Sequence, residues 1–240
     1  MSTLTSAFDW LTTGSSWRGE EGIATRLGQH LALTGASVGI ACAIALPVGI
    51  GLGHWGRGGT LAINVSNVGR AVPTFAVLVL LAIGPLGIGN TTTVVALTLF
   101  AIAPLVTNSY VGMREVDPGA KEAARGMGMS GPQVLRRVEL PLALPMIILG
   151  LRLASVQVVA TATIAALING GGLGRFVVDG LANNHRDQVV GGAILVAALA
   201  LVVDGALLAL SRLLSGGAPR TARSRSRAHR SKVGVVRSGQ

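Results

Sequence analysis

Two ionisable side chains, Arg152 and Asp204, stand inside stretches that are otherwise apolar. Charges in such surroundings normally face protein or water and find partners. A guanidinium and a carboxylate at that depth offer two chemistries. They can neutralise each other, or the guanidinium can hold a carboxylate carried by a passing solute. A second charged group sits in residues 122–145, EAARGMGMSGPQVLRRVELPLALP, where three Arg and two Glu lie between apolar runs and the chain is broken by glycine. That mixture suits a surface presented to another protein, because glycine has no Cβ to hold a second backbone away. The remaining reactive side chains form no constellation. His30, His54, His185 and His229 are scattered without metal-ligand spacing, no Ser/His/Asp set stands out, and the phosphate-binding pattern GxxxxGK[ST] is absent. Gly126-x-Gly128-x-x-Gly131 matches a dinucleotide fingerprint, but it follows a helix and not a strand, so it carries no nucleotide. No residue is assigned a catalytic role, and none a cofactor or a metal.

The elements that position these residues follow from charge spacing. Half of the 240 residues are hydrophobic and 12% are charged, against about 25% charged in an ordinary soluble domain. No charged residue occurs from Ala71 to Met113, and from Leu27 to Gly56 only His30 and His54 interrupt the apolar run. A membrane-crossing helix needs about 20 apolar residues, so these windows hold several. The reading is an all-α integral membrane protein with about five transmembrane helices, near 31–53, 72–83, 93–111, 141–168 and 189–213. Barrel strands would alternate over about 10 residues, and these runs do not. Arg152 then lies roughly 16 Å from the Pro141 end of its span and Asp204 roughly 14 Å from the cytoplasmic end of the last, at about 1.5 Å per residue. These similar depths predict that the two pair and fix the last two spans together. A contact from Arg152 to a solute carboxylate is the alternative.

Orientation follows from the basic residues. Fifteen of the 20 Lys and Arg fall on one side, among them Arg57, Arg70, Arg114, Lys121, Arg125, Arg136, Arg137 and those of the tail, against Arg18, Arg26, Arg175 and Arg186 on the other. The richer side is cytoplasmic by the positive-inside rule. This predicts an extracytoplasmic segment over 1–26, a transmembrane domain over 27–214 with a cytoplasmic loop at about 112–140, and a basic cytoplasmic tail over 215–240. The first segment lacks a basic region followed at once by an apolar core, so it does not read as a cleaved signal peptide; Trp10 and Trp17 suit the headgroup region. The tail, with little to bury, reads as a disordered arm on anionic lipid and not as a nucleic-acid-binding one. Cys42, the only cysteine, reads as a small buried hydrophobe.

Inside the cytoplasmic loop, Asp117-Pro118 signals a helix start, with Asp as cap and Pro at the first helical position. That helix stops around 126–131, and Ser130 with Gln133 has the spacing of a capping box for a second. The second helix places Val134, Leu135, Val138 and Leu140 near one face, with Arg136, Arg137 and Glu139 elsewhere.

This stretch resembles the signature of permease subunits of ABC importers: EAA, three residues, Gly, nine residues, an aliphatic, one residue, Leu-Pro. Glu122, Ala123, Ala124, Gly128, Val138, Leu140 and Pro141 fill it, with Val138 where Ile is more usual. The surrounding VDPGAKEAARGMGMSGPQVLRRVELPLALP and the later ATATIAALINGGGLG are similar to the branch importing glycine betaine, carnitine, choline and related quaternary amines. The resemblance covers about residues 25–215. It implies the fold of a type I importer permease like that of the methionine importers, in a bacterial or archaeal cell membrane with the N-terminus outside. It also implies that Glu122, Ala123, Ala124, Gly126, Gly128, Leu140 and Pro141 couple the chain to a pair of ATP-binding subunits, which hold ATP and Mg. An extracytoplasmic solute-binding protein and a second permease, identical or paralogous, complete the implied assembly. Candidates for the translocation path are Phe75, Phe100, Tyr110, Arg152, Thr161, Thr163 and Asn169, although plain packing within the spans accounts for the three aromatics without a function. Alternatives are an importer of another small solute such as methionine, or an ion-gradient-driven transporter; the latter would show inverted repeats, and none stands out.

Overall fold

Long charge-free runs can satisfy their backbone groups in a bilayer only as helices or closed barrels, and the described residues form helices joined by turns, with no strand among them. The structure is a computed structural model that describes residues 3–60, 64, 67, 72–168 and 170–215. In chain order the helices are α1 (Thr3–Thr12), α2 (Ile23–Trp55), α3 (Thr74–Ile83), α4 (Asn90–Arg114), α5 (Pro118–Gly126), α6 (Gly131–Val134), α7 (Leu140–Ala165), α8 (Gly174–Ala182) and α9 (Arg186–Ser215). A π-helical turn, Leu135–Glu139, joins α6 to α7, and a 3-10 turn, Ala166–Ile168, extends α7. Arg70, Asn169 and the basic tail from 216 onward lie outside the described residues.

Among the described residues four helices are long and apolar enough to cross a membrane: α2, α4, the continuous helix through α7, and α9. They coincide with four of the five expected spans. The fifth, expected at 72–83, is α3, whose 10 residues span about 15 Å, half the roughly 30 Å of a hydrocarbon core. α2 also begins well before the expected residue 31. Arg26, Gln29 and His30 continue the helix because their polar groups find protein partners, which a reading from apolar length alone cannot foresee.

The core that positions everything else is the α2–α4–α7 trio, packed through Ala41 and Ala45, Leu97, Ala101, Leu105 and Val106, and Ala154, Val158 and Ala162. Small side chains let membrane helices approach closely, and glycine sets the tightest points. A Cβ at Gly53 of α2 would lie 2.4 Å from the Met113 Cβ of α4, and one at Gly150 of α7 would lie 2.7 Å from the Asn108 Cβ of α4. A second cluster at one end, beside α5, gathers Met113, Val116, Ala143 and Ile147. At the opposite end Ile23, Leu173 and Phe176 pack with Trp10 and Leu11, so α1 sits against α8 and α9. The Trp10 and Phe176 rings meet edge to face at 5.0 Å, and the Trp17 indole N–H donates to the Leu11 carbonyl at 2.7 Å.

Candidate functional site

The elbow between α4 and α7 is built by local signals. Asp117 caps α5, accepting from the N–H groups of Gly119 at 3.4 Å and Ala120 at 3.2 Å. α5 ends in a Schellman turn. The Met129 N–H donates to the Ala124 carbonyl at 3.2 Å and the Gly128 N–H to the Arg125 carbonyl at 2.9 Å. Gly128, at φ +81°, holds the left-handed position that this turn assigns to glycine. The chain restarts at Ser130, whose N–H donates to Gln133 Oε1 at 2.8 Å, the return half of a capping box. The result is two short helices meeting at a glycine corner. Glu122, Ala123, Gly126 and Gly128 are exposed on it, and Met127 is 72% exposed. Ala124 turns inward and is buried. Leu140 packs at the base against the Met113 cluster, and the neighbouring Pro141 opens α7. The signature residues therefore divide into an exposed corner and a buried or basal foundation.

That foundation contains a group the sequence pattern misassigned. Glu139, expected off the buried face, is only 1% exposed. The π-turn is the reason: the Leu140 N–H bonds back five residues to the Leu135 carbonyl, and this wider turn shifts the register that a 3.6-residue repeat assumes. Val134 is buried and Arg136 and Arg137 are exposed, as expected. The Glu139 carboxylate lies against His54 Nδ1 at the end of α2 and 3.2 Å from Lys121 Nζ of α5. Lys121 also donates to the Met113 carbonyl at 3.1 Å.

Deeper in the bundle, Arg152 of α7 and Asp204 of α9 pair in the expected way. Arg152 Nε and Nη2 each lie 2.9 Å from one Asp204 oxygen, a two-pronged contact. The pair borders a cavity of about 800 Å³ whose wall is otherwise mostly apolar, with Phe100, Pro104, Leu153, Gln157 and Leu201. Of the path candidates, only Phe100 and Arg152 line this cavity. Phe75 stands half exposed on α3, and Tyr110 packs against the α2–α4–α7 core. Thr161 and Thr163 lie near the far end of α7, where the Thr163 hydroxyl is buried with no hydrogen-bond partner among the described residues. Asn169 lies outside the described residues. Because losing one partner strands a charge while losing both need not, Asp204→Asn and Arg152→Gln are each expected to lower the detergent melting temperature. The double variant should recover part of that loss. Two single variants that melt like the unmodified protein would show that the pair fixes nothing.

At the other end, three side chains hold the glycine-rich bend after α7. Gly171 N–H donates to Asn90 Oδ1 at 3.3 Å, Gly172 N–H to Gln29 Oε1 at 3.1 Å, and Leu173 N–H to His30 Nδ1 at 3.2 Å. Because Nδ1 accepts, the ring proton is assigned to Nε2, which donates to the Val159 carbonyl at 3.1 Å. Irregular backbone at membrane depth is tolerated only where protein or water satisfies it, and these residues do so. His30 had no motif around it; its one signal was a polar Gln29-His30 step entering an apolar helix. Among the described residues no three His, Cys, Asp or Glu side chains converge on a point that could hold a metal ion.

Residues 43–216 match the family described as binding-protein-dependent transport system inner membrane component. The carnitine transport permease protein OpuCB of Listeria monocytogenes is 40% identical over 195 residues, covering 81% of this chain and 89% of that protein. The glycine betaine/carnitine/choline transport system permease protein OpuCB of Bacillus subtilis is 33% identical over 187 residues, covering 78% and 86%. Among solved structures, an inward-facing form of the MetNI methionine ABC transporter superposes with a TM-score of 0.69 at 23% identity, covering 80% of this chain and 95% of that one. That likeness shows the fold alone.

Proposed function

The chain belongs to the family of binding-protein-dependent transport system inner membrane components, and on that premise we propose that it is the membrane permease of an ATP-driven importer of compatible solutes. Glycine betaine, choline, carnitine and proline betaine are the solute class, and relatives named for the transport of the first three support this. The observation that carries the coupling role is the exposed corner of Glu122, Ala123, Gly126, Met127 and Gly128, its two short helices closed by caps where they begin and end. A corner of this shape fits a groove on a separate ATP-binding subunit. Two such subunits, holding ATP and Mg, drive the spans between inward- and outward-open arrangements; this chain supplies no nucleotide site and no cofactor.

The Lys and Arg asymmetry supports an outside N-terminus and a cytoplasmic elbow in a bacterial or archaeal cell membrane. The solute passes beside the Arg152–Asp204 pair, and a binding protein on the outer face selects it, since a chain with 3% aromatic residues is poorly equipped to build an aromatic cage of its own. A second permease, a copy or a paralogue, completes the path; the open apolar side of α9, with Leu201, Val202 and Leu213, supports that pairing. The test is ATP hydrolysis in proteoliposomes holding this chain, its ATP-binding partner and any second permease, with binding protein outside. Glycine betaine, choline or carnitine is expected to stimulate hydrolysis severalfold and methionine not at all. Stimulation by methionine alone would leave the architecture and overturn the solute class.

A further inference from the structure

A fully buried carboxylate is costly unless its oxygens are paired, so the place where a chain keeps one calls for a reason. Glu139 has both oxygens occupied. One meets His54 Nδ1, on the last turn of α2; the other lies 3.2 Å from Lys121 Nζ, in the middle of α5. Lys121 in turn donates to the Met113 carbonyl near the end of α4, and Glu139 itself leads directly into α7. One carboxylate thus joins the cytoplasmic ends of three long helices to the short helix that bears the EAA residues. Among the described residues α5 has little else to hold it. It is 9 residues long, Ala124 is its one buried residue, and both connections leaving it are short and irregular. Without a polar tether, a push on the corner would swing α5 about its glycine turn and leave the long helices where they stand.

We infer that Glu139 is a positioning residue that tethers α5, through Lys121, to the end of α2, through His54, so that force on the corner moves the membrane helices. This rests on the importer reading above for its consequence, but the tether itself is a property of the chain alone and is tested separately.

Spin labels at Arg125→Cys and Trp55→Cys, both exposed positions, in a Cys42→Ala background would report the α5–α2 distance in the reconstituted permease. A single narrow distribution is expected, broadened by Glu139→Gln and equally by Lys121→Met. The same two substitutions in the whole importer are expected to lower solute moved per ATP about tenfold. The double variant should fall no further, because each breaks the same tether, and Lys121→Arg should restore most of the coupling. Unchanged distance distributions in both single variants would overturn the tether whatever the importer does. Broadened distributions with unchanged solute per ATP, or losses that multiply in the double variant, would overturn its role in coupling. Should Glu139→Gln fail to fold, Lys121→Met, at the edge of the cluster, carries the same tests. A permease with the narrow distribution that moves no solute would count against the importer reading and not against the tether.

Discussion

Gly53→Val is expected to lower the melting temperature of the detergent-purified protein by roughly 10 °C, the consequence of an overpacking cost of about 3 kcal/mol. The α2–α4 crossing is close enough at this point that even a bare Cβ would lie 2.4 Å from the Met113 Cβ and 3.1 Å from the Tyr110 carbonyl. Neither neighbour has room to retreat. Met113 is fully buried beneath the elbow, against Val116, Ala143 and Ile147, and the Tyr110 carbonyl belongs to the α4 backbone. The only relief is to separate the helices, which would also pull on the Lys121–Met113 contact at the root of α5. Gly39→Ala on the same helix is the control. Nothing lies within 4 Å of a Cβ there, so alanine should be neutral or stabilising by up to about 1 kcal/mol through helix propensity. If both variants melt like the unmodified chain, the close crossing is not what holds α2 to α4.

The difference between Gly53 and Gly39 marks a boundary of what the sequence discloses. Features fixed by neighbours along the chain were legible: the Asp117 cap, the Ser130–Gln133 bond, the end of α5 near Gly126, and the long spans. The Arg152–Asp204 pair was legible too, because two lone charges at equal depth in adjacent spans have few other partners. Glu139 was not, because its burial depends on a π-turn and the face assignment assumed an ordinary helical repeat. His30, Gln29 and Asn90 were hidden for another reason. They serve a bend at Gly171–Leu173 that is remote in sequence, and no local spacing links an acceptor to a backbone N–H so distant. Residue type alone does not say which cavity or face a side chain meets. Phe100 and Arg152 face one cavity, whereas Phe75 and Tyr110, equally aromatic, stand elsewhere.

Gly128→Asp is expected to cut solute-stimulated ATP hydrolysis and uptake at least tenfold while the permease still inserts and melts nearly normally. The two effects separate because the residue has two distinct demands upon it. Its backbone is left-handed at φ +81°, a conformation that costs most side chains about 1–2 kcal/mol but that Asn and Asp tolerate through local hydrogen bonds. Around it there is open space, with nothing within 4 Å of an added Cβ, so aspartate meets no obstacle inside this chain. Any large loss must therefore arise where another protein comes close to the corner. Gly128→Asn divides that loss into its causes, since it has the same shape and the same tolerance for the turn but no charge. Equal loss in both variants would mean that the partner's backbone occupies the space beside the glycine; loss in Asp alone would mean that the groove repels negative charge. If both variants transport normally, the corner is a connector between helices, and coupling must run through another part of the surface.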